Sequence, residues 1–226
     1  MTEGLFDNVD FYLFDLKSRF DKLDKSKYYL SYSGGKDSHF LYWFIKEYLK
    51  DNEIEIVGVN TYMEHDEIVQ RIYKYSDKVL LPKLKPFEIK ERYGIPCFTK
   101  SQDEFIDRFQ SGSRSESTLK RFYGSESFGL PHSSFDVSKK ARDYVLSDKS
   151  HKISAKCCKY LKKKPALDYA KATGKHAILG IRRSESKQRK AQYQSCFQKN
   201  GNFTPIYDMT DGLEQKIYEQ YQIEVP

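Results

Sequence analysis

The chain has 226 residues, 38% hydrophobic and 15% aromatic, so it buries a real core even though 31% of it is charged. A formal net charge of +7 favours anionic partners such as nucleotides or nucleic acid, and says nothing about fold. No apolar run reaches a membrane span, Met-Thr-Glu-Gly lacks a signal-peptide pattern, and four cysteines without one point to the reducing cytoplasm, where thiols act as ligands, nucleophiles or core residues rather than disulfides.

Leu5, Val9, Leu13, Leu16, Phe20 and Leu23 recur at helical spacing and predict an amphipathic helix over 5–23. Residues 27–32, rich in tyrosine, read as a strand. The turn Ser33-Gly34-Gly35-Lys36-Asp37-Ser38 follows, and the apolar run from His39 to Leu49 reads as a helix. Residues 53–61 form a second strand, 66–75 a helix and 78–81 a short strand ended by Pro82. Pro86 to Tyr93 and Gln102 to Gln110 read as short helices. Ser111 to Ser117 and Ser125 to Ser134 read as polar loops, a flexible insertion over about 111–135. Residues 154–173 are helical with an interruption at Pro165, residues 176–181 a buried strand, 203–207 an edge segment and 210–221 a closing helix. Strands alternating with helices predict an α/β domain with a parallel sheet and helices on both faces, as one domain over 1–226 with no internal repeat.

A glycine turn between a buried strand and a helix suits a phosphate. Two glycines permit positive φ and close approach, and the first helix amides lack intrahelical partners and carry the positive end of the dipole. Lys36 adds a full charge, and Ser33 and Ser38 add hydroxyls. The spacing is neither that of the common nucleoside-triphosphatase loop nor a dinucleotide fingerprint. In its strand–helix setting, S-G-G-K-D-S resembles the PP-loop of the ATP pyrophosphatases, which split ATP between its α- and β-phosphates. That resemblance implies a Rossmann-like, adenine nucleotide alpha hydrolase-like fold.

The second constellation is Gly180-Ile181-Arg182-Arg183-Ser184-Glu185-Ser186-Lys187-Gln188-Arg189, leaving the late strand. Arg182 and Arg189 suit bidentate contact with phosphate oxygens, and Glu185 suits holding an arginine, a ribose or a metal. A solvated charge run is the bland reading. With the first loop, G-x-R-x-x-E-S-x-x-R resembles the PAPS reductase family, and within it the phage- and prophage-borne branch and the related DNA-sulfur-modification enzymes. Further segments agree. Val59 to Glu67 resembles the stretch where a Thr (here Thr61) and a Glu line the nucleotide site, Gly94 to Lys100 resembles G-x-P-x-x-S-K, and Lys156 to Pro165 resembles the K-C-C-x-x-L-K-x-x-P helix. The match runs from about Tyr28 to Tyr221.

This resemblance implies an ATP- and Mg²⁺-dependent enzyme that adenylylates an acceptor and releases pyrophosphate, followed by sulfur transfer. Lys36, Asp37, Arg182, Cys157 and Cys158 are its catalytic candidates. Ser33, Gly34, Gly35, Lys36, Asp37, Ser38, Thr61, Lys100, Gly180, Arg182, Glu185 and Arg189 are its nucleotide candidates, with Asp37 beside Mg²⁺. Two departures stand out. PAPS-using reductases have a degenerate first loop, whereas this chain keeps Lys36 and Asp37, and the further cysteine motif of the relatives is absent from these 226 residues.

Four cysteines, Cys97, Cys157, Cys158 and Cys196, carry three open readings. Cys157, Cys158 and Cys196 are candidate iron–sulfur ligands. Cys157 or Cys158 is alternatively a redox or sulfur-carrying thiol whose thiolate Lys156 and Lys159 favour. Buried inert cysteine is the third. The five histidines are scattered and share no metal-ligand spacing. The basic stretch 149–199, opposed only by Asp168 and Glu185, suits a nucleic acid backbone, with Tyr160, Tyr169 and Tyr193 as stacking faces. Function divides into three classes: the adenylylating enzyme, a thiol-dependent sulfonucleotide reductase, and a nucleotide- or nucleic-acid-binding protein without turnover. The acceptor and the oligomeric state, a homodimer included, stay open.

Overall fold

The computed structural model describes residues 8–226, with side chains at all of these except Lys187 and Gln188. Leu5, part of the first predicted helix, lies outside them. The chain, read above as one domain, divides into two compact units, Met1–Leu81 with Ala166–Pro226, and Pro82–Pro165.

The first unit holds strands β1 (Tyr28–Tyr32), β2 (Glu55–Val59), β3 (Lys78–Leu80) and β4 (His176–Ile178), all parallel, in the order β3-β2-β1-β4. Its helices are α1 (Val9–Asp21), α2 (Lys36–Trp43) and α3 (Asp66–Tyr75). The second unit holds α4 (Pro86–Tyr93), α5 (Lys100–Gln110), α6 (Glu116–Tyr123) and α7 (Lys139–Val145), and the chain then returns to the first unit with α8 (Lys164–Thr173), α9 (Lys187–Gln192) and α10 (Asp211–Gln220). The sheet is the α/β arrangement expected from the alternation of strands and helices.

Period-2 alternation of the strands explains the two covered faces. Leu30, Tyr32, Ile56 and Ile178 point into one core with Leu13 and Leu16 of α1, Phe40 and Leu41 of α2, Ile72 of α3, and Leu213 and Ile217 of α10. Tyr29, Val57 and Ala177 point the other way and pack with Tyr169 and Ala170 of α8. Burial on both faces is what a parallel sheet requires. The chain progresses from β1 through β2 to β3 on one side and returns with β4 on the other. The strand order therefore reverses at β1, and open α/β sheets bind ligands at the carboxyl ends of the strands at such a point.

Several boundaries differ from the sequence reading. The helix after the turn begins earlier, at Lys36, and its second half, Phe44–Tyr48, is wound as a π-helix. Pro165 does not interrupt its helix. The turn before it, Cys158–Lys163, is π-helical, and the Lys164 N–H reaches back to the Lys159 carbonyl. Widening the helix there relieves the clash of the proline ring with the preceding turn. The segment from Phe203 meets the sheet through a single parallel bridge to Ile178, with a second, antiparallel bridge to Phe197 outside the sheet. In the second unit α6 and α7 occupy sequence read as loop or left unassigned. Phe122 of α6 packs with Ala141 and Val145 of α7 and Ile106 of α5 in a separate small core.

Candidate functional site

Between β1 and α2 the chain turns through Ser33, Gly34 and Gly35. Gly34 has φ +75°, and a Cβ there would lie 3.0 Å from Cγ2 of Ile68 on α3. Conformation and space both call for glycine. Gly35 caps α2 without any side-chain hydrogen bond, so the first amides of the helix keep their donor capacity. The serines fasten the turn: the Ser33 N–H donates to Ser38 Oγ at 3.2 Å, the two hydroxyls meet at 3.0 Å, and Ser38 Oγ donates to the Gly35 carbonyl at 2.9 Å.

The segment leaving β4 lies directly on this helix start. A Cβ at Gly180 would stand 2.9 Å from the carbonyl carbon of Asp37 and the nitrogen of Ser38. Two residues on, Arg182 is 9% exposed, with Nε 2.7 Å from Asp37 Oδ1, and Nη1 against Asp211 Oδ1 and 3.5 Å from Glu214 Oε2. In this structure its guanidinium faces three carboxylates. Glu185 accepts from the Arg182 N–H at 3.0 Å and pairs with Arg189.

Helix α10 supplies the third wall. Glu214, 1% exposed, sets Oε2 2.9 Å from Lys36 Nζ. The Tyr218 hydroxyl donates to the Lys36 carbonyl at 2.8 Å, and the Lys36 ammonium stands 5.1 Å from the centre of the same ring. Asp37 Oδ1, Arg182 Nε and both oxygens of Glu214 make no hydrogen bond, so these contacts are charge against charge without hydrogen-bond alignment. Burial pushes Asp37 up to about 7, against the pull of Arg182 and with the help of Glu214. Burial also raises the Tyr218 phenol, with the carboxylate of Glu214 adding to it. For Arg182 burial works to lower the pKa, but Asp37 and Glu214 outweigh it and the guanidinium is held above its ordinary value.

In the loop after β2, Thr61 is buried and commits itself locally. Its hydroxyl donates to Glu64 Oε2 at 2.7 Å and its N–H to the same oxygen at 3.0 Å. Tyr62 beside it has φ +64°. Beyond β4 a groove of about 620 Å³ is lined by Leu179, Gln192, Tyr193, Gln194, Gln198 and Lys199 among others. None of its lining residues comes from the turn at 33–38.

Of the remaining candidates, all but Cys196 belong to the second unit. Lys100 is the exposed first residue of α5, Cys97 is exposed, and Cys157 and Cys158 are half-buried at the π-helical turn. Cys196 belongs to the first unit, against the main core, and burial pushes its thiol up. Among the described residues no group of three His, Cys, Asp or Glu side chains gathers as a metal-binding set. The residues present therefore do not fit the iron–sulfur cluster considered from Cys157, Cys158 and Cys196. A hard cation held by one or two carboxylates and substrate phosphates has no such requirement, and the unbonded oxygens of Asp37 and Glu214 fit it.

Sequence reasoning missed Glu214 and Tyr218. With Asp211 they recur at 211, 214 and 218, one face of α10, so the helical face was readable. Nothing in the sequence says that this face meets the loop.

No protein-family profile and no curated protein matches the sequence. Among solved structures, the NH3-dependent NAD synthetase from Campylobacter jejuni subsp. jejuni NCTC 11168, in complex with the nitrate ion, is similar at 13% identity and a TM-score of 0.42, over 96% of this chain and 72% of that one.

Proposed function

We propose that the turn between β1 and α2 holds the phosphates of ATP, and that the protein is a PP-loop enzyme adenylylating an acceptor with release of pyrophosphate. The observation that carries this reading is the uncapped start of α2 behind the left-handed Gly34, with Lys36 beside it. Backbone donors and one mobile cation are what a polyphosphate needs. The reaction is attack of an acceptor oxygen on the α-phosphorus, with the bond to the bridging oxygen breaking and pyrophosphate departing with the electron pair. The helix amides and Lys36 stabilise the charge gathering on that leaving group. Such preorganised donors are each worth roughly 3–4 kcal/mol in comparable sites.

Asp37 and Glu214 would hold Mg²⁺, which when bound neutralises phosphate charge and orients it. Arg182 fixes the carboxylate of Asp37, and Glu185 fixes the backbone of Arg182. We assign the groove beyond β4 to the acceptor on its lining alone, carboxamides and a tyrosine that orient a polar molecule. The resemblance to the PAPS reductase family extends the proposal to a later sulfur transfer through Cys157 or Cys158. Lys36 favours ATP over a sulfonucleotide, because its charge is of most use to a β,γ-diphosphate.

Calorimetry with Mg-ATP and with PAPS tests the reading. ATP binds to the wild type, and Lys36→Ala weakens that binding at least tenfold. Preference for PAPS moves the protein to the reductases, and heat from neither ligand removes the nucleotide site altogether.

A further inference from the structure

The positive charge of the chain is concentrated in one unit. Residues 82–165 carry nineteen Lys and Arg against ten Asp and Glu, a formal +9, whereas the rest of the chain is −2. Such an asymmetry marks a segment that meets a polyanion. Within this unit the end of α4 and the π-helical turn bring two aromatic rings together. Tyr93 and Tyr160 stack with centroids 4.8 Å apart and planes 9° from parallel, both partly exposed. Cations surround the pair. Lys156 Nζ lies 5.2 Å from the Tyr93 ring centre and Lys159 Nζ 5.7 Å from that of Tyr160. Lys152 Nζ donates to the Arg92 carbonyl at 3.1 Å, and Lys162 and Lys163 are exposed on the same turn as Tyr160. Two acids intervene: Asp107 takes Lys156 at 2.9 Å and Glu88 approaches Arg92 at 3.9 Å. Among the described residues, Lys159, Lys162 and Lys163 have no such acidic partner.

We infer that this face binds single-stranded nucleic acid, with an unpaired base extending the Tyr93–Tyr160 stack and the phosphates lying along Lys159, Lys162 and Lys163. The stack selects this partner among polyanions. Inorganic polyphosphate or an acidic peptide would use the lysines and leave the rings idle, and a duplex keeps its base faces inside its own stack. The inference does not rest on the ATP reading, since every residue in it belongs to residues 82–165.

Fluorescence anisotropy with the full chain and labelled single-stranded DNA and RNA of about fifteen nucleotides tests it, over roughly 50–200 mM salt. Both single strands bind, and whichever binds more tightly identifies the sugar preferred. Tyr160→Ala weakens binding about tenfold at every salt concentration and leaves the salt slope unchanged, whereas Tyr160→Phe restores it. Replacing Lys159, Lys162 and Lys163 together by Ala lowers the slope by about two, because fewer counterions are released. Should Tyr160→Ala fail to fold by circular dichroism, Tyr93→Leu at the other ring reads the same contribution. Absence of binding at low salt overturns the inference. So does equal competition by duplex or inorganic polyphosphate, or unaltered affinity when either ring is removed.

Discussion

Lys36 Nζ stands 2.9 Å from Glu214 Oε2, which joins the lysine of the first loop to a carboxylate buried on the last helix, 178 residues later in sequence. Lys36 is 40% exposed on its side chain and Glu214 only 1%, so the pair is lopsided: the lysine can leave for a ligand, and the carboxylate cannot follow. Removing the lysine strands a buried carboxylate whose remaining cation among the described residues is Arg182, at 3.5 Å. Lys36→Ala is expected to destabilise the fold by about 1–3 kcal/mol in urea denaturation, mostly from the unpaired carboxylate. Adding Glu214→Gln to that variant recovers much of the loss without recovering ATP binding. Recovery of both would mean that Lys36 serves only the fold.

The contact at Gly180 is with backbone, which cannot step aside. A Cβ placed 2.9 Å from two main-chain atoms of Asp37 and Ser38 must push the start of α2 away from β4. Gly180→Ala is therefore expected to lower stability by about 1–3 kcal/mol and to abolish nucleotide binding. Gly34→Ala differs in kind. It strains a left-handed residue and presses a side-chain methyl of Ile68 at 3.0 Å and, less closely, its carbonyl oxygen at 3.3 Å, so it costs stability by about 1–2 kcal/mol. Thermal melts with calorimetry separate the two. Wild-type ATP affinity in Gly180→Ala would show that the strand exit does not shape the loop.

Much of this architecture was readable beforehand because local signals agreed with the fold. Helices over 66–75 and 86–93 are found at those residues, the second opened by Pro86 and closed by Gly94. Helices α6 and α7 were hidden because each buries only two residues, Thr118 and Phe122 in one and Ala141 and Val145 in the other, within serine-rich or basic surroundings. Their serine caps, Ser115 and Ser138, were the available signal. The glycine turn between β1 and α2 was legible because its geometry is local in sequence. The partners of Lys36 and Arg182 were not, because contact between α10 and the loop is a product of tertiary packing.

His39 on α2 is 4% exposed, with Nδ1 3.0 Å from the Tyr32 hydroxyl and its ring packed against Tyr42 and Tyr75. Burial holds the imidazole below its ordinary value, with Glu224 pulling the other way and Arg71 and Lys74 adding to the depression. The unfolded chain thus takes up a proton before the folded one does. The stabilisation is present above the unfolded pKa near 6.5 and is lost as pH falls through the folded value. Urea denaturation between about pH 7.5 and 5 should show this loss in the wild type. His39→Asn, which keeps an acceptor for Tyr32, should flatten it by roughly one proton's worth of slope. An identical slope in the variant would place the acid sensitivity elsewhere.

Asp37 shifts in the opposite direction and gives the opposite sign. Burial, with Glu214 adding and Arg182 resisting, raises its carboxyl to about 7 from an ordinary value of 3.8. A raised folded pKa means that the folded chain binds the extra proton. The contribution is complete below the unfolded value and is lost as pH rises through the folded one, across a window from about 4 to about 7. Asp37→Asn removes the titration, so the variant should gain on the wild type steadily between acid and neutral pH in urea denaturation. On the proposed function, bound Mg-ATP would reverse the preference, because a cation and Arg182 together favour the charged carboxylate. ATP affinity of the wild type should therefore rise with pH through neutrality. That rise should vanish in Asp37→Asn, and a pH-independent wild type would separate Asp37 from the nucleotide site.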